Sequence, residues 1–220
     1  AEAENAAWSF LGEGVTFWVT VAVLLVVGVS VYLITRKKSS NKKSFWTAKT
    51  MAVGAMCMAL SSVLSLIKLW PMPMGGSVTP ASMLPLLLFA YCYGVGPGMV
   101  LGALYGVMQF LLDGMAWAAL GAIPNLLDYP IAFGMLGLAG CFRGSKAKMT
   151  AGFVLGCFGR FMASFLSGFI FYGQYAPEGV NPVWYSLTYN GSYMLVECII
   201  CIALGLLVGE RLAKELKKVA

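Results

Sequence analysis

The sequence contains no histidine, and charged residues make up only 11% of its 220 positions. A soluble domain usually has about 25% charged residues, so the composition argues against one. The absence of histidine excludes Ser-His and Cys-His catalysis and most zinc chemistry. The chain also lacks a G-x-x-x-x-G-K-[ST] motif and with it the usual means of hydrolysing ATP. We find no nucleophile–base set and predict that the chain is not an enzyme.

Six cysteines lie in or beside apolar segments, and Cys198 and Cys201 have the C-x-x-C spacing of redox and zinc sites. That pair falls inside a long apolar run of a chain without histidine. Ordinary packing of small apolar side chains explains it better. We therefore expect neither a metal nor a cofactor.

Apolar runs dominate the chain, which is 60% hydrophobic with a mean hydropathy of +0.81. The runs are continuous rather than alternating, which favours membrane-spanning helices over barrel strands. We predict an all-α, polytopic transmembrane helical bundle in the lipid bilayer. The stretch Gly94–Gly98 predicts a tight turn between two short spans. The predicted spans are 14–35, 48–69, 81–94, 97–112, 122–141, 150–173 and 184–209.

Basic residues predict the orientation of these spans. Thirteen of the fifteen fall within 36–49, 143–148 and 211–218, which seven spans place on one side of the membrane. The positive-inside rule makes that side cytoplasmic. We expect a multi-pass cell-membrane protein with its N-terminus outside and its C-terminus cytoplasmic. Because the basic groups lie beside spans, topology explains them better than nucleic-acid binding, and we expect no nucleic-acid partner.

The first predicted span is separated from the others by the polar linker Arg36–Lys43. We therefore divide the chain into residues 1–43, an extra N-terminal transmembrane helix with a basic linker, and residues 44–220, a six-helix membrane domain.

The stretch NLLDYPIAF, residues 125–133, has an acidic residue inside an apolar region. A carboxylate close to hydrocarbon is costly and usually has a function. On a helix, Asn125, Asp128 and Tyr129 lie three and four positions apart and so share a face. Pro130 removes a helical hydrogen bond and predicts a bend there.

Other polar and aromatic residues are predicted near the same, outer ends of the spans. The prolines and glycines of residues 70–79 exclude a continuous helix and predict a lid-like loop. Aromatic residues near the ends of membrane spans also form ordinary interfacial belts, so a single aromatic residue there is weak evidence for a ligand site. The residues that join Asn125, Asp128 and Tyr129 as ligand-binding candidates are Trp70, Trp117, Tyr172, Tyr185 and Asn190.

A carboxylate among aromatic rings and amides suits a flat cation. Each ring attracts positive charge by about 0.5–2 kcal/mol, and the carboxylate adds a charge-assisted hydrogen bond. The amides of Asn125 and Asn190 suit the donor and acceptor edges of a heterocycle. An alternative is that Asp128 pairs with Arg160 and only holds helices together. Glu197 is a further candidate partner of Arg160, in a structural role.

These motifs, in this order, resemble one known family. NLLDYPIAF, GGSVT (residues 75–79) and FIFYGQYAPEG with WYSLTYNGS (within 169–192) are similar to the thiamine-specific substrate-binding subunit of energy-coupling factor transporters. The resemblance covers about residues 48–212. It implies a six-helix subunit that captures thiamine at the outer face and docks on a shared membrane subunit with two ATPase subunits.

The resemblance also implies roles for single residues. Asp128 matches the acidic residue that faces the charged ligand, and Tyr129 is its neighbour. Ser164 stands where a close relative has a histidine contact, and Trp70 is the nearest candidate for the tryptophan of the lid. The ligand-contacting positions of the family are matched by Tyr172, Tyr185 and Asn190.

Ala55 and Ala59 form a small-x-x-x-small pattern on the span at 48–69, which permits close approach of another helix. The resemblance implies that this pair meets the shared membrane subunit. Packing within the chain is the alternative explanation.

Three functions remain open from the sequence. The first is the vitamin-capture subunit, whose ligand is thiamine, one of its phosphates or its pyrimidine precursor. The second is a self-sufficient secondary transporter for a small cationic or heterocyclic metabolite, with Asp113, Asp128 and Glu197 as an ion path. It is disfavoured because the chain shows no internal repeat. The third is a membrane-embedded enzyme, disfavoured as stated above.

Overall fold

A computed structural model describes residues 47–72, 75–115 and 121–219. The predicted N-terminal span and its linker lie outside these residues. The described chain forms helices joined by short connections and one small hairpin. The elements are α1 Ala48–Leu66, β1 Trp70–Pro71, β2 Ser77–Val78, α2 Leu84–Tyr93, α3 Val95–Gly114, α4 Ala122–Cys141, α5 Lys146–Phe171, α6 Pro182–Leu204 and α7 Glu210–Val219.

The predicted all-α membrane bundle is confirmed, because five helical segments of the described chain are long and apolar enough to cross a membrane. The bounds differ most at the end that carries the basic groups. There α5 begins at Lys146, because the Ser145 side chain caps it by accepting a hydrogen bond from the backbone N–H of Lys148 at 3.3 Å. The last helix continues through a π turn, Gly205–Gly209, into the polar segment α7. Hydropathy identifies only the apolar part of a helix, so neither the start of α5 at Lys146 nor the polar segment α7 was predicted.

The short helix α2 lies at the centre of the bundle. All ten of its residues are buried, and they are apolar on every side. A helix without a polar face needs protein or lipid on all sides, and here the other helices supply it. The turn after α2 is made by Gly94, whose φ of +102° suits glycine. The predicted tight turn between two helices is therefore present.

Two glycines on α3 bring its backbone into contact with α4. A Cβ atom built on Gly102 would lie 2.3 Å from the carbonyl oxygen of Phe133, and one on Gly106 would lie 2.4 Å from that of Tyr129. Small residues spaced by four allow such close helix approach in membranes. The contact fixes the backbone of α4 next to Asp128.

The bend predicted at Pro130 is a π turn, Leu127–Ile131, within α4. Proline supplies no N–H, so the regular hydrogen-bond ladder is interrupted there. Asp128 and Tyr129 both lie inside this turn. The irregular backbone therefore coincides with the residues that sequence reasoning selected.

The predicted loop at 70–79 contains a two-stranded antiparallel hairpin, in which Trp70 pairs with Val78 and Pro71 with Ser77. Its glycines allow the turn to lie against α6. The backbone N–H of Gly76 donates to the hydroxyl oxygen of Tyr189 at 3.1 Å. The hairpin thus covers the bundle at the end where α4 and α6 begin.

The contact between α3 and α4 predicts that Gly106→Ala destabilises the protein. The added methyl group meets backbone atoms, which cannot rotate away, so we expect a loss of about 1–3 kcal/mol. Thermal unfolding of the purified protein in detergent measures it. Gly191→Ala is the matched control, because a Cβ there would be no closer than 3.8 Å to its nearest neighbour. Equal melting temperatures for the two variants would contradict the proposed contact.

Candidate functional site

A polar cavity lies beneath the hairpin, among the ends of α1, α3 and α5 and the starts of α4 and α6. With its open mouth it contains about 1060 Å³ of space not filled by atoms. Four of its lining residues are charged: Asp113, Asp128, Arg160 and Glu197. The uncharged lining residues that the following paragraphs use are Ser65, Gly76, Thr79, Ser82, Gln109, Tyr129, Phe133, Ser164, Tyr172, Tyr185, Ser186, Tyr189, Asn190 and Tyr193.

Asp128 is the carboxylate of this cavity that forms no ion pair in the described part of the chain, although Arg160 acts on it from a greater distance. Asp113 lies 3.0 Å from the ammonium of Lys68, and Glu197 is paired with Arg160. The Asp128 carboxylate instead accepts a hydrogen bond from the hydroxyl of Ser167 at 2.8 Å. A carboxyl group held by a hydroxyl rather than by a cation can still form a charge-assisted contact with a cation that enters the cavity.

Tyr172 follows the last residue of α5 and lies beside Asp128. Burial raises the pKa of the Tyr172 phenol, and the neighbouring Asp128 carboxylate raises it further. The phenol therefore stays protonated at neutral pH and keeps a hydroxyl hydrogen to donate. Ser164, one helical turn before Ser167, also lies close to the same carboxylate. Asp128 is thus held by hydroxyl groups from α5 and its C-terminal end.

Among the charged residues that the structure describes, Glu197 is the most deeply buried, with 1% of its surface exposed. Its carboxylate accepts hydrogen bonds from the hydroxyls of Thr79 and, at 2.9 Å, Ser82. On its other side lies the guanidinium of Arg160 at 3.6 Å. The predicted pairing of Glu197 with Arg160 is therefore present, and the alternative pairing of Arg160 with Asp128 is not. The guanidinium also stacks 4.2 Å from the ring centre of Phe133.

Tyrosines on α6 form an aromatic wall along the cavity. The rings of Tyr185 and Tyr189 are stacked with centres 6.0 Å apart, and Tyr193 meets Tyr189 edge-on at 5.8 Å. Across the cavity, Tyr129 packs edge-on against Phe110 at 5.5 Å. Aromatic faces attract cations, so the wall and Asp128 favour the same kind of ligand.

Asn190 lines the cavity but is already bound within the protein. Its amide nitrogen donates to the carbonyl oxygen of Ser186 at 3.1 Å, and its amide oxygen accepts from the Tyr193 hydroxyl at 3.0 Å. The same nitrogen lies 3.4 Å from the carbonyl oxygen of Ser164 on α5. The amide therefore holds α5 against α6 as well as facing the cavity.

The structure brings six of the nine candidate ligand residues to the cavity: Asp128, Tyr129, Ser164, Tyr172, Tyr185 and Asn190. Asn125 is buried but does not line the cavity, and its amide nitrogen donates to the carbonyl oxygen of Gly121 at 2.7 Å. Trp70 is 67% exposed on the hairpin and does not line the cavity. Trp117 lies outside the described residues.

Sequence reasoning missed several lining residues, chiefly Ser65, Gln109 and Ser186. Gln109 had a signal of the kind that selected Asp128, because it is a polar residue inside an apolar run, four positions before Asp113. The two serines had no such signal, since short hydroxyl side chains are common in apolar helices.

Ala55 and Ala59 are both exposed on α1, whereas Val53 and Cys57 of the same helix are buried. The described residues therefore leave the small-residue pattern on the outer surface of the bundle, and packing inside the described bundle does not account for it.

Comparison with known proteins relates this chain to one family. The family model described as thiamine transporter protein (Thia_YuaJ) matches residues 51–216, which include every lining residue named above. The thiamine transporter ThiT of Bacillus subtilis (strain 168) is 38% identical over 144 residues, covering 59% of this chain and 73% of that protein. ThiT of Lacticaseibacillus paracasei is 32% identical over 134 residues, covering 54% and 67%.

A solved structure of ThiT from Listeria monocytogenes has a similar fold. It superposes with a TM-score of 0.65 and covers 77% of this chain and 96% of its own. At 21% identity the likeness supports the helical membrane architecture and no more.

The Glu197 network predicts a large difference between buried and exposed acidic residues. Glu197→Ala leaves Arg160 buried without its counter-charge, and we expect the free energy of unfolding to fall by about 3–5 kcal/mol. Glu215→Ala is the control, because the Glu215–Lys218 pair is exposed and should be worth about 0–1 kcal/mol. Thermal unfolding in detergent compares the variants. Similar small losses would mean that Arg160 needs no counter-charge.

Proposed function

Because the chain belongs to the thiamine transporter family, we propose that it is the thiamine-binding subunit of an ATP-driven vitamin importer and holds thiamine in the polar cavity. Family membership makes it a multi-pass membrane protein with a role in thiamine transport rather than in catalysis. The residues that bind the ligand, the direction of capture and the partner subunits are parts of the proposal.

The observation that supports the proposal is the Asp128 carboxylate, which forms no ion pair among the described residues of an aromatic-lined cavity and feels Arg160 only from a greater distance. Thiamine joins a planar, permanently positive thiazolium ring to an uncharged pyrimidine ring. A carboxylate without a counter-ion supplies a charge-assisted contact, and nearby rings add cation–π attraction. Glu197 and Asp113 contribute less because each already has a cation beside it.

Tyr172 and Tyr185 are proposed to contact the thiazolium from the aromatic side of the cavity, together with Tyr129. Asn190 and Ser164 lie on adjoining helices and are proposed to contact the uncharged pyrimidine ring. The buried hydrogen bonds of Asn190 support this role, because they fix the amide before the ligand arrives. Preorganised polar groups lose less entropy on binding.

The orientation proposed from the basic residues places the cavity on the outer side. Residues 143–148 and 211–218 lie at the opposite end of the bundle from the cavity. If that end is cytoplasmic, the hairpin and the cavity mouth face outward, where the vitamin arrives. The proposed importer then needs a conformational step that carries the bound ligand inward.

Energy for that step is proposed to come from a shared membrane subunit and two ATPase subunits, since the sequence has no nucleotide-binding motif. The exposed alanines of α1 are the proposed contact with the membrane subunit. A purified chain should bind thiamine without energy, and vesicles with this chain alone should not accumulate it. Accumulation by the chain alone would support the alternative, a self-sufficient secondary transporter.

Asp128→Asn keeps the shape of the side chain and removes its charge, so we expect thiamine binding to weaken by about 1.5–3 kcal/mol, roughly 10- to 150-fold. Tryptophan fluorescence of the purified protein, which has six tryptophans, measures the dissociation constant. An uncharged pyrimidine fragment should lose much less affinity.

Asp113→Asn is the control for charge in the same cavity, because Lys68 already neutralises that carboxylate at 3.0 Å. We expect it to change thiamine affinity by less than about threefold, as for an exposed ion pair. An equal loss of charged and neutral ligands in Asp128→Asn would refute the charge-pairing role.

Ala55→Leu combined with Ala59→Leu adds bulk to a flat, exposed strip of α1, where a partner helix is proposed to pack. Thiamine affinity in detergent should stay unchanged, because neither alanine lines the cavity. Uptake into vesicles that contain the whole complex should be abolished.

The matched control adds two leucines elsewhere on the surface. Ala151 on α5 and Ala203 on α6 are also exposed, and Ala151→Leu with Ala203→Leu should leave uptake normal. Normal uptake by the α1 double variant would place the docking surface elsewhere, and lost thiamine binding would mean that the alanines pack within this chain.

A further inference from the structure

Gln109 is a buried polar residue in the wall of the cavity that neither the sequence motifs nor the proposed cation contacts explain. It lies on α3, one turn before Asp113, and only 7% of its surface is exposed. We propose that Gln109 is a ligand-contacting, specificity-determining residue, whose side-chain carbonyl oxygen accepts a hydrogen bond from an N–H or O–H group of the ligand. This inference rests on the proposed function, because it takes thiamine as the ligand.

The hydrogen bonds around Gln109 fix which way its amide points. The hydroxyl of Tyr105 donates its single hydrogen to the backbone carbonyl oxygen of Ser61 at 3.2 Å, and a carbonyl oxygen can only accept. Toward Gln109, which lies 2.7 Å away, the Tyr105 oxygen must therefore act as the acceptor. The Gln109 amide presents its nitrogen to Tyr105, so its oxygen points away from that contact.

The side-chain oxygen of Gln109 has no hydrogen-bond partner among residues 47–72, 75–115 and 121–219. This oxygen is not fully enclosed by protein and is accessible from the cavity, so a ligand group can donate to it directly. A bound analogue that lacks the donor excludes water and leaves the oxygen unpaired, which costs about 1–3 kcal/mol. Tyr105 is fully buried and does not line the cavity. It acts as a positioning residue that keeps the amide from turning its nitrogen toward the ligand.

A fixed acceptor in a binding cavity selects ligands by their donors. Sites that hydrogen-bond a substrate group reject analogues without it more strongly than apolar pockets reject a missing methylene. Thiamine has two such donors, the amino group of its pyrimidine ring and the hydroxyl of its side arm. Both present the same chemistry to Gln109, and analogues that lack one or the other distinguish them.

The experiment compares wild-type protein and Gln109→Met in titrations with three ligands. These are thiamine, an analogue with hydrogen in place of the amino group, and one with hydrogen in place of the hydroxyl. We expect Gln109→Met to bind thiamine about tenfold more weakly. One of the two analogues should bind to the Gln109→Met variant as tightly as it binds to the wild-type protein. That analogue identifies the donor.

Ser62→Ala is the matched control for a neighbouring hydrogen bond. The Ser62 hydroxyl donates to the carbonyl oxygen of Met58 within α1, and Ser62 does not line the cavity. Its affinities for all three ligands should equal those of the wild-type protein. Melting temperatures without ligand check that each variant is folded.

Gln109→Glu provides a second variant if the methionine variant is unstable. Glutamate keeps an acceptor at the same place, so the wild-type difference in affinity between thiamine and the analogue lacking the donor should persist. Loss of that difference in Gln109→Glu would overturn the proposal.

Two results with Gln109→Met also overturn it. An unchanged affinity for thiamine would mean that Gln109 makes no ligand contact, and the same loss for all three ligands would assign it a structural role only. Failure of the wild-type protein to bind thiamine is a separate result. It would refute the proposed function, and the inference about Gln109 with it.

Discussion

The backbones of α3 and α4 touch where Gly102 meets the carbonyl oxygen of Phe133 and Gly106 meets that of Tyr129. The cavity depends on this contact for its geometry. Gln109 and Asp113 continue the α3 face beyond the glycines, and the π turn of α4 presents Asp128 beside them. Larger residues on α3 would separate the two helices and move the acidic residue away from the polar groups of the opposite wall.

Charges in the cavity are arranged so that one carboxylate stays available. At the buried base of the cavity, Arg160 supplies the counter-charge of Glu197, and two hydroxyls donate hydrogen bonds to it. Near the surface, Lys68 supplies the counter-charge of Asp113. Buried ion pairs often contribute little net stability, but they are costly to break. The Glu197 pair therefore holds the base of the cavity, while Asp128 forms no ion pair in the described chain and remains the proposed contact for a cationic ligand.

Hydropathy and turn residues predicted the apolar helices α1 to α6, the turn at Gly94 and the break near Pro130, because each depends on neighbours in the sequence. The acidic residue in an apolar span also predicted part of the site. The link from Thr79 to Glu197 and the bond from Gln109 to Tyr105 were not predicted. The Thr79–Glu197 hydrogen bond joins residues 118 positions apart in the sequence. The Gln109–Tyr105 hydrogen bond joins neighbours on one helix, but only the fold places Gln109 in the wall of a cavity. Ser65 and Ser186 were missed because only tertiary packing distinguishes them from other small residues.

The shortness of α2 has a consequence for membrane depth. At 1.5 Å per residue, its ten residues cover about 15 Å, roughly half the hydrophobic thickness of a bilayer. Thr79, Ser82 and the cavity lie beyond the first turn of α2, at the end of the bundle where this helix begins. A short central helix among the longer α1, α3, α4 and α5 thus leaves space for a polar cavity at one end of the bundle. A bound ligand there would already have traversed part of the membrane without meeting hydrocarbon.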